Sequence, residues 1–160
     1  MDQSVRIINV EDMQPKERSL GEAYAFSREE LVPGDGSSPY GLRVYWLPPG
    51  KANYPYHYHA RHDEVFYIIS GNGTALTPQG KKPLRAGDVM ICPPAPEGAH
   101  KITNTGEVPL VYLEVDTIAF PEVVHYPLSG GMGVLFGNRE SNQFFQDDKR
   151  TTYLEISEQG

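Results

Sequence analysis

The chain has 160 residues, the size of one globular domain, and its 39% hydrophobic and 22% charged residues are typical of a folded protein. A net charge of −7 argues against a broad nucleic-acid-binding surface. The sequence has no apolar run near the roughly 18 residues of a membrane helix and no secretory signal, and its one cysteine, Cys92, cannot form an intrachain disulfide. These features predict a cytoplasmic protein that binds neither nucleic acid nor membrane.

Short segments separated by turns dominate the sequence, which contains 16 glycines and 14 prolines. Such a composition favours strands over helices. Runs rich in β-branched and aromatic residues predict strands at residues 5–10, 41–47, 64–70, 73–77, 88–92, 100–104 and 109–120. A short helix is predicted near Ser27, with Ser27 as its N-cap and Glu30 at the third helical position. The regular spacing of the strands indicates an antiparallel sandwich or barrel.

Histidines are concentrated in the stretch GKANYPYHYHARHDEVFYIISG at residues 50–71, which holds three of the five in the chain. Side chains two residues apart in a strand project from the same face, so His57 and His59 are expected to point the same way. Two neutral imidazoles on one face can bind a single transition-metal ion. Glu64 follows after a four-residue turn and can fold back as an oxygen ligand. His100, which opens a later predicted strand, is the natural candidate for a fourth ligand.

The residues around this pair resemble the first motif of the cupin superfamily. That motif consists of a glycine, His-x-His, three or four residues, a glutamate, six residues and a glycine. The chain has His57 and His59, four residues, Glu64, six residues and Gly71. It departs from the pattern at Gly50, which is separated from His57 by six residues instead of five.

The second cupin motif has a counterpart at residues 87–104. The residues that match it are Gly87, Pro93, Gly98, His100 and Asn104. The segment PAPEG is longer than the usual Pro-x-Gly, and one residue instead of two separates Gly98 from His100. Both departures lie in predicted turns, so the ligands can be retained. Residues 112–127 are also similar to a group of small bacterial single-domain cupins without an assigned activity.

The resemblance implies a fold and a ligand set. The fold is an all-β double-stranded β-helix, the cupin jelly-roll barrel, as a single domain over residues 1–160. Its core barrel would span about 41–120, with an N-terminal extension at 1–40 and a C-terminal tail at 121–160 packed on it. The implied ligands of one divalent transition metal ion (Mn, Fe, Ni or Zn) are His57, His59, Glu64 and His100.

A different metal site is possible within the same segment. His62 and Glu64 form a His-x-acid pair like that of the 2-oxoglutarate oxygenases, which share the barrel. This alternative leaves His57 and His59 without a role and lacks the later glycine of the cupin motif. His62 is therefore predicted to be a turn residue at the rim of the pocket, and Cys92 to be a buried, unreactive thiol.

Three histidines and one glutamate leave two positions open on an octahedral ion, enough for a bidentate small molecule or for a substrate and dioxygen. Three functions fit this site. They are the isomerisation of a sugar or sugar phosphate, an Fe(II)-dependent dioxygenation of a small enol- or thiol-type substrate, and non-catalytic binding of a sugar-type ligand. The intact ligand set favours an enzyme, and the absence of oxygenase-specific features favours the isomerase. The sequence identifies no catalytic or substrate-binding residue.

A homodimer is also expected. The segments VFYII and LVYLEV carry apolar side chains at both odd and even positions, so both faces of these strands should be covered. Either the predicted strand at 5–10 or a second copy of the chain could provide the cover.

Overall fold

Antiparallel strands make up most of the regular structure in the computed structural model, which describes residues 4–149. In that range the strands are β1 (Lys16–Ser19), β2 (Ala25–Val32), β3 (Tyr40–Leu47), β4 (Tyr58–His59), β5 (Glu64–Ser70), β6 (Asn72–Thr77), β7 (Gly80–Arg85), β8 (Val89–Cys92), β9 (Lys101–Thr103), β10 (Leu110–Thr117), β11 (Glu122–Tyr126), β12 (Gly131–Leu135) and β13 (Gln143–Gln146). Short 3-10 helices lie at Val10–Asp12, Pro96–Gly98, Arg139–Ser141 and Asp147–Lys149. No helix in the described range is long and apolar enough to cross a membrane.

The strands form three antiparallel sheets. One has six strands in the order β1-β2-β3-β10-β5-β8, another has three in the order β7-β6-β9, and the third has four in the order β13-β12-β11-β4. An isolated backbone bridge between His57 and His100 joins segments that belong to the two cupin-like motifs. The prediction of an all-β jelly-roll barrel, the double-stranded β-helix, is confirmed.

The barrel interior follows from the alternation of side chains along each strand. In β5 the side chains of Glu64, Phe66 and Ile68 are buried, whereas Tyr67 between them is exposed. The apolar core combines residues from most of the barrel strands. Its buried members are Phe26, Tyr45, Leu47, Phe66, Ile68, Ala75, Leu84, Cys92, Ile102, Leu110 and Tyr112. Burial raises the pKa of the Cys92 thiol to about 12, so this cysteine stays protonated at neutral pH.

Residues of the two motifs also hold the turns of the barrel. Gly71 adopts a φ of 81° between β5 and β6, a conformation that favours glycine. A Cβ at Gly98 would collide with the carbonyl oxygen of Pro93, so only glycine fits there. The buried Asn104 side chain donates to the carbonyls of Leu47 (2.7 Å) and Val108 (2.8 Å). These residues explain why the motif positions require glycine and asparagine.

The predicted strand at residues 5–10 is wrong. This segment is irregular up to Asn9 and then enters the 3-10 helix at Val10–Asp12. The side chains of Val5 and Ile7 are 92% and 97% exposed, and Arg6 donates to the Leu31 carbonyl at 2.8 Å. The apolar pattern alone did not make a strand here because no neighbouring strand edge pairs with the segment within the described residues.

The predicted helix near Ser27 is also wrong. Ser27 and Glu30 lie in β2, which pairs with both β1 and β3. The inward-facing Phe26 packs on Tyr45 with a ring-centroid distance of 5.2 Å, and Ser27 pairs with Trp46 in the neighbouring strand. Strand pairing and the burial of Phe26 therefore outweighed the local capping signal.

The segments outside the predicted core barrel contribute strands to the sheets. β2, from the predicted N-terminal extension, lies between β1 and β3 of the six-stranded sheet. β11, from the predicted C-terminal tail, pairs with β4, so that Val124 lies opposite His59 and His125 opposite Tyr58. Residues 1–3 and 150–160 of these predicted segments lie outside the described residues.

Candidate metal centre

His57 and His100 lie side by side although they are far apart in the sequence. The backbone N–H of His57 donates to the His100 carbonyl at 3.1 Å, and the N–H of His100 donates to the His57 carbonyl at 2.8 Å. Residues paired in this reciprocal way project their side chains from the same face. The two imidazole centroids are 4.8 Å apart. The fold thus brings the two predicted motifs together at one point.

His59 and Glu64 complete the cluster. Glu64 Oε1 lies 3.6 Å from His59 Nε2, and Glu64 Oε2 lies 3.4 Å from His100 Nε2. Potential ligand atoms of His57, His59 and Glu64 all lie within 4.8 Å of one another. Nitrogen and oxygen ligands bound about 2.0–2.2 Å from one ion are themselves about 3–4 Å apart. His57, His59 and Glu64 are therefore positioned to bind a metal, with His100 beside them.

Backbone carbonyls orient two of these imidazoles. Nδ1 of His57 lies 2.8 Å from the Pro55 carbonyl oxygen, and Nδ1 of His100 lies 3.0 Å from that of Gly98. When Nδ1 donates to a carbonyl, the Nε2 lone pair is free to coordinate. His100 Nε2 is buried and has no hydrogen-bonding partner among the described residues. A buried, unpaired nitrogen that faces a carboxylate fits a metal ligand.

The charge states of the cluster also fit a cation. Burial, followed by the neighbouring imidazoles, lowers the pKa of His57 to about 3, and burial lowers the pKa of His100 to about 4. Both rings are therefore neutral at pH 7, the form that coordinates metals. Burial raises the pKa of Glu64 to about 8. A bound divalent ion would offset the unfavourable burial of this carboxylate.

A pocket of about 260 Å³ extends from this cluster, and its wall carries two arginines, Arg28 and Arg43. Arg43 is neutralised by three carboxylates, Asp116 at 2.7 Å, Glu114 at 3.0 Å and Glu30 at 3.2 Å. Burial also raises the pKa of Glu114, although Arg43 beside it acts in the opposite direction. Arg43 is thus committed to a buried charge network.

Arg28 has longer contacts with its polar neighbours than Arg43 has. Its Nη1 lies 3.5 Å from the hydroxyls of both Tyr45 and Tyr54, and its Nη2 lies 3.9 Å from Glu30. The Tyr54 ring packs edge-on against His57 at a centroid distance of 6.3 Å. One aromatic ring therefore separates the Arg28 guanidinium from the histidine cluster.

His62 is not a rim residue. It lines the pocket but is buried, and its ring stacks on His59 at 5.3 Å. Its Nε2 lies 3.1 Å from both the N and the O of Ala119. The structure thus brings Glu64 together with His57, His59 and His100, and holds His62 against the backbone of another segment. This arrangement does not favour the alternative His62–Glu64 site.

Arg28, Glu114 and Glu122 are among the residues of the site that were not found from the sequence. Arg28 was placed in the predicted helix, and Glu122 lies beyond the second motif. Glu122 is buried beside His59 and His62. No spacing signal connects Arg28 or Glu122 to the histidines. Of the tyrosines before His57, Tyr54 lines the pocket.

The sequence is similar to a protein family and to several characterised proteins. Residues 43–116 match the family described as the cupin domain. Over 106 residues, 59% of this chain, the sequence is 36% identical to a glucose-6-phosphate isomerase of Thermococcus onnurineus. A glucose-6-phosphate isomerase of Pyrococcus horikoshii is 33% identical over 106 residues. Both alignments cover 52% of the relative, so the chain matches about half the length of these enzymes.

Two solved structures share the fold over nearly the whole chain. A candidate sugar phosphate isomerase from Acidithiobacillus ferrooxidans superposes with a TM-score of 0.79 at 24% identity, covering 91% of this chain and 95% of the other. A cupin-superfamily sugar phosphate isomerase from Silicibacter pomeroyi gives a TM-score of 0.76 at 22% identity, covering 94% and 98%. Because both sequence identities are below 25%, this similarity establishes the shared fold alone.

Proposed function

We propose that this protein, a member of the cupin superfamily, is a metal-dependent isomerase that interconverts the aldose and ketose forms of a sugar or sugar phosphate. The observation that carries this proposal is the convergence of His57, His59, Glu64 and His100 in one cluster, of which His57, His59 and Glu64 line a small pocket. The partial similarity to glucose-6-phosphate isomerases supports the substrate class. On this proposal all four side chains are metal ligands, and the ion is a divalent transition metal.

The reaction is a proton transfer. A proton leaves C2 of the aldose and returns to C1, while the hydroxyl proton moves from O2 to O1, so no oxidant or reductant is needed. A divalent ion held by the four ligands would polarise the carbonyl and the neighbouring hydroxyl. The protein must then provide an acceptor for the carbon-bound proton.

Glu114 is our candidate for this acceptor. Its carboxyl group lines the pocket and is buried on β10. Burial raises its pKa, which makes its carboxylate a stronger base than an exposed glutamate. Arg43, which donates to both Glu114 and Asp116, fixes the carboxylate in position.

Arg28 is our candidate for binding a phosphate group. Its guanidinium faces the same pocket, lies one ring away from the metal ligands and is less neutralised than that of Arg43. Arginine binds phosphate through paired N–H donors. A substrate with a phosphate group at one end could thus span the distance from the metal to Arg28.

Replacing Arg28 by glutamine is expected to raise KM for a sugar phosphate roughly 10- to 100-fold, the effect of losing a hydrogen bond to a charged group. The value of kcat should change much less, because Arg28 lies away from the reacting carbons. Steady-state kinetics of R28Q provide the measurement, and R85Q is the control because the Arg85 side chain is well exposed. An unchanged KM in R28Q would remove Arg28 from the substrate site.

The response to oxygen and to the choice of metal tests the proposed reaction. An isomerase should turn over anaerobically and should work with Mn(II) or Zn(II) as well as Fe(II). A dioxygenase should consume O₂ in proportion to substrate and should lose activity when Zn(II) replaces Fe(II). Oxygen-electrode traces and anaerobic assays with one panel of sugars and sugar phosphates separate the two. Ligands that raise Tm without turnover in either assay would instead indicate a binding module.

We also infer that the chain forms a homodimer through the outer face of the six-stranded sheet. At its edge, Val89 and Ile91 of β8 are 59% and 69% exposed, and Tyr67 of the adjacent β5 is exposed beside them. An unpaired edge strand with apolar side chains is normally covered. Light scattering should give a dimer for the wild type and a monomer for I91K. A monomeric wild type at micromolar concentration would contradict this inference.

A further inference from the structure

Glu122 reaches the metal centre from outside the region that matches the cupin domain. It is the first residue of β11, beyond residues 43–116, and its side chain is 0% exposed. β11 pairs with β4, which places Val124 opposite His59. This pairing brings the Glu122 carboxylate beside the backbone that follows His59.

Two backbone donors hold the carboxylate in place. Oε1 accepts from the N–H of Ala60 at 2.8 Å and from the N–H of Arg61 at 3.2 Å. The same oxygen lies 3.4 Å from His59 Nδ1, and Oε2 lies 3.6 Å from His62 Nε2. His59 Nδ1 is buried and has no hydrogen-bonding partner among the described residues, so Oε1 approaches it closely without forming a hydrogen bond of good geometry.

The Nδ1 atom of His59 faces a different kind of group from the Nδ1 atoms of His57 and His100. Nδ1 of His57 and of His100 faces a backbone carbonyl two residues earlier in its own segment. Nδ1 of His59 faces a carboxylate delivered by a distant strand. A carboxylate on the far nitrogen of a metal-binding histidine fixes the tautomer, orients the ring and makes the other nitrogen a stronger ligand.

We propose that Glu122 is a positioning residue that holds His59 with its proton on Nδ1 and so strengthens the bond from Nε2 to the metal. The strand that follows the cupin domain then completes the metal centre. The proposal depends on the metal site of the proposed function but not on the reaction, since Glu122 acts through His59 and not on the substrate.

Metal affinity of the variant Glu122→Gln is the first test. Glutamine keeps the shape and one oxygen that can accept from Ala60 and Arg61, but it loses the charge. Competition with a chromogenic chelator should show Zn(II) or Mn(II) affinity about 10- to 100-fold weaker than in the wild type. E107Q, at an exposed glutamate, is the control and should bind as the wild type does. Thermal unfolding of the metal-free proteins checks that E122Q is folded.

The tautomer of His59 provides a readout that does not depend on bound metal. Nitrogen-15 NMR of the metal-free wild type at a pH where His59 is neutral should show its proton on Nδ1, and E122Q should show a mixture of tautomers. If E122Q does not fold, E122D is used, since its shorter side chain keeps the charge but withdraws it from His59. Wild-type metal affinity together with an unchanged His59 tautomer in the variant would overturn the proposal. A lack of isomerase activity would not, because neither measurement uses a substrate.

Discussion

Purified protein is expected to carry about one divalent transition metal ion per chain, and the variant His59→Ala is expected to retain less than about a tenth of it. The reason is geometric. His59 is one of the three side chains positioned to bind the metal, together with His57 and Glu64. The neighbouring His62 does not replace it, because its Nε2 lies 3.1 Å from the backbone N of Ala119. Elemental analysis after dialysis measures the metal content of both proteins.

His125→Ala is the matched control for this experiment. His125 lies on β11 opposite Tyr58 and stacks on that tyrosine at 4.7 Å, so it is close to the site without facing the cluster. This variant should keep its metal. Equal metal content in H59A and the wild type would remove His59 from the ligand set.

The variant Arg43→Met is expected to be much less stable than the wild type. Arg43 is buried and forms ion pairs with Glu114 and Asp116 inside the barrel. Removing one partner of a buried pair leaves uncompensated charge, which typically lowers the free energy of unfolding by about 3–5 kcal/mol. In a domain of this length such a loss lowers Tm by roughly 6–20 °C. Calorimetry or circular dichroism would measure it.

Arg85→Met is the control for Arg43→Met. Arg85 pairs with Asp88 at 3.9 Å, but its side chain is well exposed, and exposed pairs contribute little to stability. R85M should therefore unfold near the wild-type temperature. If R43M were as stable as R85M, the ion pairs of Arg43 with Glu114 and Asp116 would not contribute to the stability of the protein.

The local part of the site could be predicted because it depends on strand geometry alone. His57 and His59 share a face at a spacing of two residues, and Glu64 follows after one short turn. His100 could be proposed as a histidine that opens a later predicted strand and matches the second cupin motif, but its place beside His57 results from backbone pairing between distant segments. Residues that meet through sheet pairing leave no spacing signal in the sequence.

Arg28 and Glu122 could not be predicted from strand patterns or residue spacing. Glu122 reaches the site because β11 pairs with β4, which is remote in sequence. Arg28 reaches it because residues 25–32 form strand β2, which pairs with the next strand, β3. The capping pattern at Ser27 even indicated the wrong secondary structure for Arg28, since local propensity is weaker than the pairing energy of a whole strand. The strand that was wrongly predicted at residues 5–10 has a different cause. The apolar pattern is present, but no strand in the described range pairs with this segment.

Six of the thirteen strands in the described range, β3, β5, β6, β8, β9 and β10, lie in segments that were predicted as strands. β5 begins and ends at the predicted residues, 64 and 70, because its alternating buried side chains are bounded by turns on both sides. β7 was missed because its sequence, GKKPLR, is polar and contains a proline. Among the described strands β7 pairs only with β6, at the edge of its sheet, where a proline is tolerated.

Anaerobic isomerisation before and after metal removal tests the central claim most directly. Protein stripped with a chelator should not convert an aldose phosphate to its ketose, and adding back Mn(II) should restore the conversion in the absence of oxygen. H59A should remain inactive after the same addition. Undiminished turnover by the stripped protein, or turnover that appears only when O₂ is admitted, would contradict a metal-dependent isomerase.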